Sequence, residues 1–333
     1  MGHGIKLSDR RDPGLLQRAG SGIKEDPDAD QFLITLLRRW LDLNILTPFE
    51  YHKPATKAEA LELLATLENV KVLAGGTDLV IQMKEKLVKP DHIVDITGIE
   101  ELNGIKLEDG KGGVIGACTT LAQCEFSEEL KAKYPAFAYA AGELAGPQIR
   151  EMGTVGGNLS HSSPSAETPC SLIAYGAVLT LESKAGGARE IAVKDFIHGN
   201  RQNDLKPGEI ITKITLEEPK PNTVVKYGYV GLRSAMEIDM ANMAISLTVE
   251  DGIVKDAFCV MGSVFIKPLI SELVPGILVG KKIDDAVLKE ASEATMSEVK
   301  PITDVRASAQ YRKDVIGALT RRLFKEAYAE LTK

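Results

Sequence analysis

Residues 71–78 read Lys71-Val72-Leu73-Ala74-Gly75-Gly76-Thr77-Asp78, and a second glycine pair follows later as Gly153-Thr154-Val155-Gly156-Gly157-Asn158. Each reads as an apolar strand running into a tight turn, where two adjacent glycines remove the side chains and let backbone N–H groups face outward. A concave set of such donors suits a phosphate. One Gly-Gly turn alone is more often a plain turn than an anion site. Two of them, each flanked by Thr and by Asp or Asn, point to a pyrophosphate and so to a dinucleotide.

Outward from these turns the pattern is of sheets and helices in alternation. Thr56 with Glu59 has the spacing of a capping box, followed by the helical run Ala60-Leu61-Leu64-Ala65-Leu67. A strand over 70–74, a short helix over 78–87 and a strand at Ile93-Val94-Asp95-Ile96 follow, an order that implies an α/β layer. A strand at 113–117 leads to Thr119-Thr120, then a helix is expected over about 127–145 and an apolar segment over 171–181. Pro219-Lys220-Pro221 marks a break. Beyond it strands are expected at 224–227, 241–249 and 254–261, with Asp251-Gly252 as a hairpin turn, then helices at 284–299 and 305–331. This reads as a separate α+β domain. Before the first domain, residues 1–28 are polar. Residues 29–44 put Phe32, Leu33, Leu36, Leu37, Trp40 and Leu41 on one helical face. That stripe fits a helix packed on its own domain and a docking helix for a partner chain equally well.

Composition narrows the function classes. At 333 residues the chain is long enough for two or three domains. A net charge of −7 with no basic block argues against a nucleic-acid partner. No apolar run reaches the roughly 20 residues a membrane helix needs, and no secretory signal is visible, so a cytoplasmic location is expected. Cys118, Cys124, Cys170 and Cys259 have no zinc or iron–sulfur spacing. They read as buried apolar residues of a reducing compartment, and no metal is expected in the chain. No local Ser/His/Asp or Cys/His signature occurs. His52, His92 and His198 read as surface residues. His161 fits a loop residue or one near a ligand, Asp95 a turn residue or a ligand contact, and Arg150 a phosphate partner or an ion pair with Glu151 or Glu143.

Six segments, in order and spacing, resemble the FAD-binding medium subunit of molybdenum hydroxylases, the xanthine dehydrogenase and carbon monoxide dehydrogenase group. They are AGGTDLVIQMK (74–84), VDITGIEELNGI (94–105), IGACTTLAQ (115–123), QIREMGTVGGNLSHSSPSAETP (148–169), RSAMEIDMANMA (233–244) and PITDVRASAQYRKDVIGALTRRL (301–323). The resemblance covers about 48–331. It implies an α+β protein with a PCMH-type FAD-binding fold of two α/β subdomains, about 48–105 and 106–222, followed by a C-terminal α+β domain over 223–333 with an antiparallel sheet and helices.

The resemblance also implies a site. Ala74, Gly75, Gly76, Thr77, Asp78 and Leu79 would hold the FAD pyrophosphate, with Thr119, Thr154, Gly156, Gly157 and Asn158 completing the grip. Glu167 stands where the family usually has an Asp that bonds ribityl or ribose hydroxyls. Glu151 replaces a common Asn, and Tyr229 stands where many relatives carry a Lys, departures that would bear on the electron acceptor. The implied role is an electron-transfer subunit. A large subunit would hold molybdopterin, a small one two 2Fe-2S clusters, and reduced flavin would pass electrons to NAD+ or another acceptor. One member carries an added cysteine-bearing insertion for a 4Fe-4S cluster, and this chain lacks such a group. The rival readings are a free-standing flavoenzyme of the same superfamily and a flavin-free scaffold subunit.

Overall fold

The computed structural model describes residues 46–233 and 236–333. The helix expected over 29–44 lies outside the described residues. The architecture is α+β, with two sheet-and-helix units followed by an antiparallel sheet carrying helices.

The first unit is small and parallel. β1 (Glu50–His52), β2 (Val70–Leu73) and β3 (His92–Asp95) form a sheet in the order β1-β3-β2. Helices α1 (Lys57–Thr66) and α2 (Leu79–Lys84) make the crossovers. Thr56 caps α1 by accepting from the Glu59 N–H at 3.2 Å, while the Glu59 carboxylate accepts from the Ala55 N–H rather than from Thr56. The expected capping box is therefore displaced by one residue. Ala60, Leu61 and Leu64 bury the inner face of α1 against Val94, Ile96 and Ile99, each leucine contributing roughly 2 kcal/mol.

The second unit is antiparallel: β4 (Ile105–Glu108), β5 (Gly112–Gly116), β6 (Val178–Ser183), β7 (Gly187–Ala192) and β10 (Ile210–Leu216), in the order β4-β5-β10-β6-β7. A short ribbon, β8 (Ile197–Gly199) and β9 (Gln202–Asn203), lies between β7 and β10 in the chain. Six helices fill the connection from β5 to β6. They are α3 (Leu121–Phe126), α4 (Glu128–Lys133), α5 (Pro135–Glu143), α6 (Pro147–Met152), α7 (Val155–His161) and α8 (Thr168–Ala174). A one-turn helix, α9 (Val193–Phe196), follows β7.

The single helix expected over 127–145 is two helices. Pro135 cannot donate to the preceding turn, so the helix ends at Lys133 and a new one starts with Pro135 at its first position. Residues before the second glycine pair are likewise helical rather than a strand. Pro147 opens α6, and Thr154 opens α7 by accepting from the Gly157 N–H at 3.0 Å.

The last sheet runs β11-β12-β13-β14, from β11 (Thr223–Val230), β12 (Ala241–Glu250), β13 (Ile253–Gly262) and β14 (Leu269–Ile270). Asp251 and Gly252 both have positive φ, 50° and 73°, as a two-residue type I′ hairpin requires. Helices α10 (Val274–Leu278), α11 (Asp285–Glu298) and α12 (Ala309–Leu331) cover one face. Strand alternation divides the burial. Ala241, Met243, Ile245 and Leu247 pack with Ile316, Leu319 and Phe324 of α12, while Ala244 and Val260 join the core of the second unit. No helix among the described residues is long and apolar enough to cross a membrane.

Candidate dinucleotide-binding site

A cavity of about 770 Å³ opens where the ends of β2 and β5 meet α7, within the range of roughly 300–1,000 Å³ usual for small-molecule sites. The two glycine segments are brought together there. A Cβ on Gly75 would lie 1.9 Å from the Met152 carbonyl oxygen, at the end of α6. Gly76 has φ +71°, the left-handed turn that swings the chain from β2 into α2. A Cβ on Gly156 would lie 2.7 Å from both the Cβ and the carbonyl oxygen of Ala117, just past β5. Only glycine permits either approach.

The two segments do different things with their backbone donors. The consecutive N–H groups of Gly75, Gly76, Thr77, Asp78 and Leu79 find no acceptor among the described residues. They line the cavity at the start of α2, the geometry of an anion-binding concavity. The donors of the second segment are spent inside the protein. Val155 donates to the Thr119 carbonyl at 3.0 Å, Gly156 to Ala117 at 2.9 Å, Gly157 to the Thr154 hydroxyl at 3.0 Å and Asn158 to the Thr154 carbonyl at 2.9 Å. The expected second set of outward donors is thus absent, because Thr154 caps a helix there. What this segment offers the cavity is a close-packed surface and the Asn158 side chain. The Asn158 Oδ1 accepts from the Thr168 hydroxyl at 2.5 Å, leaving Nδ2 as the free donor.

Of the residues singled out from sequence, Ala74, Gly75, Gly76, Thr77, Asp78, Leu79, Thr154, Gly156, Gly157, Asn158 and Glu167 line the cavity. Thr119 does not. It is fully buried, and its hydroxyl bridges the N–H and the carbonyl of Gly104, each at 3.0 Å. His161 lines the cavity, its Nε2 lying 3.5 Å from Asp78 Oδ1. Asp95 is structural, accepting from the Thr97 N–H and hydroxyl and from the Tyr51 hydroxyl. Arg150 meets neither Glu151 nor Glu143. Its guanidinium forks onto Glu125 at 2.7 and 3.3 Å and donates to the Leu144 and Ala145 carbonyls. Tyr229 is outside the cavity lining, its hydroxyl bound to Glu143.

Glu167 is 6% exposed, and burial pushes its carboxyl up to about 8, helped by the charge of Asp239. Near neutral pH it is therefore a donor as well as an acceptor. Asp239 is 2% exposed and is pushed up to about 7 by burial, although the Tyr227 hydroxyl and the Asn242 amide both donate to its Oδ2 at 2.9 Å. Sequence reasoning missed Asp239, which lies within the 233–244 segment but has no local motif of its own. It also missed Lys71, Arg201 and Lys206, exposed cations on the cavity lining. Lys71 comes from a stretch far from the one that holds Arg201 and Lys206, so no spacing could have grouped all three.

Comparison with known proteins accords with this geometry. Residues 47–219 match the family described as FAD binding domain in molybdopterin dehydrogenase, and residues 229–327 match the CO dehydrogenase flavoprotein C-terminal domain. The carbon monoxide dehydrogenase medium chain of Afipia carboxidovorans is 35% identical over 283 residues, covering 84% of this chain and 97% of the relative. The glyceraldehyde dehydrogenase medium chain of Sulfolobus acidocaldarius is 31% identical over 278 residues, covering 84% and 98%. The xanthine dehydrogenase FAD-binding subunit of Escherichia coli O157:H7 is 30% identical, covering 84% and 96%. Among solved structures, reconstituted CO dehydrogenase from Oligotropha carboxidovorans superposes with a TM-score of 0.81 at 33% identity, covering 86% of this chain and 99% of that one. Quinoline 2-oxidoreductase from Pseudomonas putida 86 gives 0.82 at 25% identity, covering 87% and 100%.

Proposed function

Because this chain belongs to the family of FAD-binding medium subunits of molybdenum hydroxylases, we propose that it holds FAD in the 770 Å³ cavity and serves as the flavin station of a multi-subunit oxidoreductase. The observation that carries the binding mode is the run of five N–H groups from Gly75 to Leu79 with no acceptor among the described residues, on residues that line a cavity of about 770 Å³. The donor set fits the group. Five amides at a strand–helix junction suit a pyrophosphate, and the exposed Lys71, Arg201 and Lys206 offset its charge at the rim.

In this reading Ala74, Gly75, Gly76, Thr77, Asp78 and Leu79 hold the pyrophosphate. Thr154, Gly156 and Gly157 shape the opposing surface, and Asn158 Nδ2 and the Glu167 carboxyl meet hydroxyl groups of the cofactor. Thr119 acts from behind, by fixing the Gly104 turn and accepting from α7. Residues 48–222 form the FAD-binding part and 223–333 the C-terminal domain. FAD, when bound, supplies exchange between one- and two-electron carriers. The protein orients it and keeps water away.

The relatives are named as medium chains and FAD-binding subunits. By that analogy a large subunit carries molybdopterin and the substrate chemistry, a small subunit carries 2Fe-2S clusters, and electrons leave through the flavin to NAD+ or another acceptor in the cytoplasm. The test is the visible spectrum of the purified chain, with mass spectrometry of any released cofactor. Stoichiometric FAD and co-purification with two partner chains are expected. A chain that stays colourless after incubation with FAD would overturn the proposal.

A further inference from the structure

We propose that Glu50, His52 and His92 form a divalent-metal site, best suited to zinc, that clips the first strand of the chain's described part to its neighbour. The three side chains come from the two adjacent strands β1 and β3. Glu50 pairs directly with His92 across the ladder, and His52 lies two residues further along β1. The pleat therefore puts all three on one face of the sheet. His52 Nε2 lies 3.2 Å from His92 Nδ1, and Glu50 Oε2 lies 3.5 Å from His92 Nδ1 and 3.9 Å from His52 Nε2.

These distances are the edges of a coordination polyhedron. Two ligands about 2.0–2.1 Å from a tetrahedral zinc stand about 3.3 Å apart, close to the separation of the two ring nitrogens. The carboxylate contacts are too long for hydrogen bonds, so Glu50 faces both nitrogens without bonding either. A small rotation of this exposed side chain brings its oxygen within ligand distance. The imidazoles are only about one-fifth exposed, 23% and 21%, which fixes two ligands in place before the metal arrives. Two imidazoles and one carboxylate are the donor set of borderline divalent cations, and not of magnesium or calcium. A water would complete four-coordination.

β1 is three residues long, lies at the sheet edge and follows directly on residues 1–49. A short edge strand is held by few ladder bonds. A metal shared between β1 and β3 would fix the point where the preceding segment enters the domain.

The full-length chain is stripped with a chelator, then titrated with Zn2+ and with Co2+. One equivalent of Zn2+ per chain is expected, with a melting temperature raised by several degrees and Co2+ bands of a four-coordinate site. His92→Gln and His52→Gln should each weaken binding at least about tenfold, and Glu50→Gln by a smaller factor. His198→Gln should change nothing. All variants should keep native circular dichroism and flavin content, since none of these side chains lines the cofactor cavity. Absence of stoichiometric Zn2+ uptake would overturn the proposal. So would uptake that survives both His52→Gln and His92→Gln.

Discussion

At Gly75 the nearest atom to an added Cβ would be a backbone oxygen, 1.9 Å away. A backbone cannot rotate aside as a side chain does, so Gly75→Ala must push the β2–α2 loop away from α6. Purified Gly75→Ala is expected to lose FAD at least tenfold more readily than the parent, read as absorbance near 450 nm after dialysis. Gly157 is the contrast. Its Cβ would meet only the Thr154 hydroxyl, at 2.8 Å. Gly157→Ala should therefore be destabilised by only about 1 kcal/mol, the scale of a weakened helix cap, and, although it lines the cavity, lose flavin less readily than Gly75→Ala. Both glycines were legible as a pair of motifs in the sequence. Which of them leaves its N–H groups free was not, because that depends on Ala117 and Thr119, which the fold brings beside α7. Asp239 and Glu167 support a second prediction at this scale. Both carboxyls are raised, to about 7 and about 8, so the folded protein holds these protons more tightly than the unfolded chain. Their contribution to stability is full below about pH 4 and is lost as pH rises through 7 and 8. The melting temperature should fall between about pH 4 and 8 and level off above that, and Asp239→Asn should flatten that fall. A parent curve with no slope in this window would contradict the assignment.

Among the elements, the strands and helices with regular periodicity were readable, and the β12–β13 hairpin was fixed by Asp251-Gly252. Boundaries set by single residues were not. The break between α4 and α5 rests on Pro135, and on Tyr134, whose buried ring packs edge-on against Tyr175 and whose hydroxyl reaches the Glu217 carbonyl at 2.9 Å. Nothing in the local pattern foretells that long-range partner. The Glu50, His52 and His92 cluster was invisible for the same reason, since forty residues separate its two halves. A reading of metal sites from cysteine spacing alone passes over it. One connection matters for the cavity directly. The loop before β10 supplies Lys206, Gly208 and Glu209 to the lining. It is tied to β7 by Arg189, which forks onto both oxygens of Glu209 at 2.8 and 2.7 Å and also bonds the Asp204 carboxylate and carbonyl, each at 2.6 Å. Lysine has no planar fork and cannot reproduce this set. Arg189→Lys should leave the fold intact and raise the dissociation constant for FAD several-fold, measured by titrating the flavin-free protein. An unchanged constant would mean that the loop keeps its place without the clamp.

For the whole molecule, the question is whether the C-terminal sheet is a separate body or part of one cooperative unit. Its two faces give the answer in packing terms. One face is sealed by α11 and α12, while Tyr227, Ala244 and Val260 on the other join the same core as Phe137, Leu172 and Ile214 of the second unit. Asn242 of β12 donates to Asp239, beside Glu167 at the cavity, so damage to the sheet reaches the cofactor site. The most consequential polar tie in the C-terminal part is Arg312 on α12, which is 3% exposed. Its guanidinium donates to the Met240 carbonyl before β12, to the Ser263 carbonyl after β13 at 3.2 Å, and to Asp304 at 2.8 Å. Removing it takes the guanidinium from the Met240 and Ser263 carbonyls, while Asp304 keeps the Arg306 and Ala307 N–H groups, at a cost of about 2–4 kcal/mol. Arg312→Met is expected to lower the urea midpoint seen by far-ultraviolet circular dichroism. Because the core is shared, the midpoint for flavin release should fall by the same amount. If the dichroism midpoint fell while the flavin stayed bound to the parent's midpoint, the C-terminal sheet would be an independent folding unit, and the contacts of Tyr227, Ala244 and Val260 would carry little of the coupling.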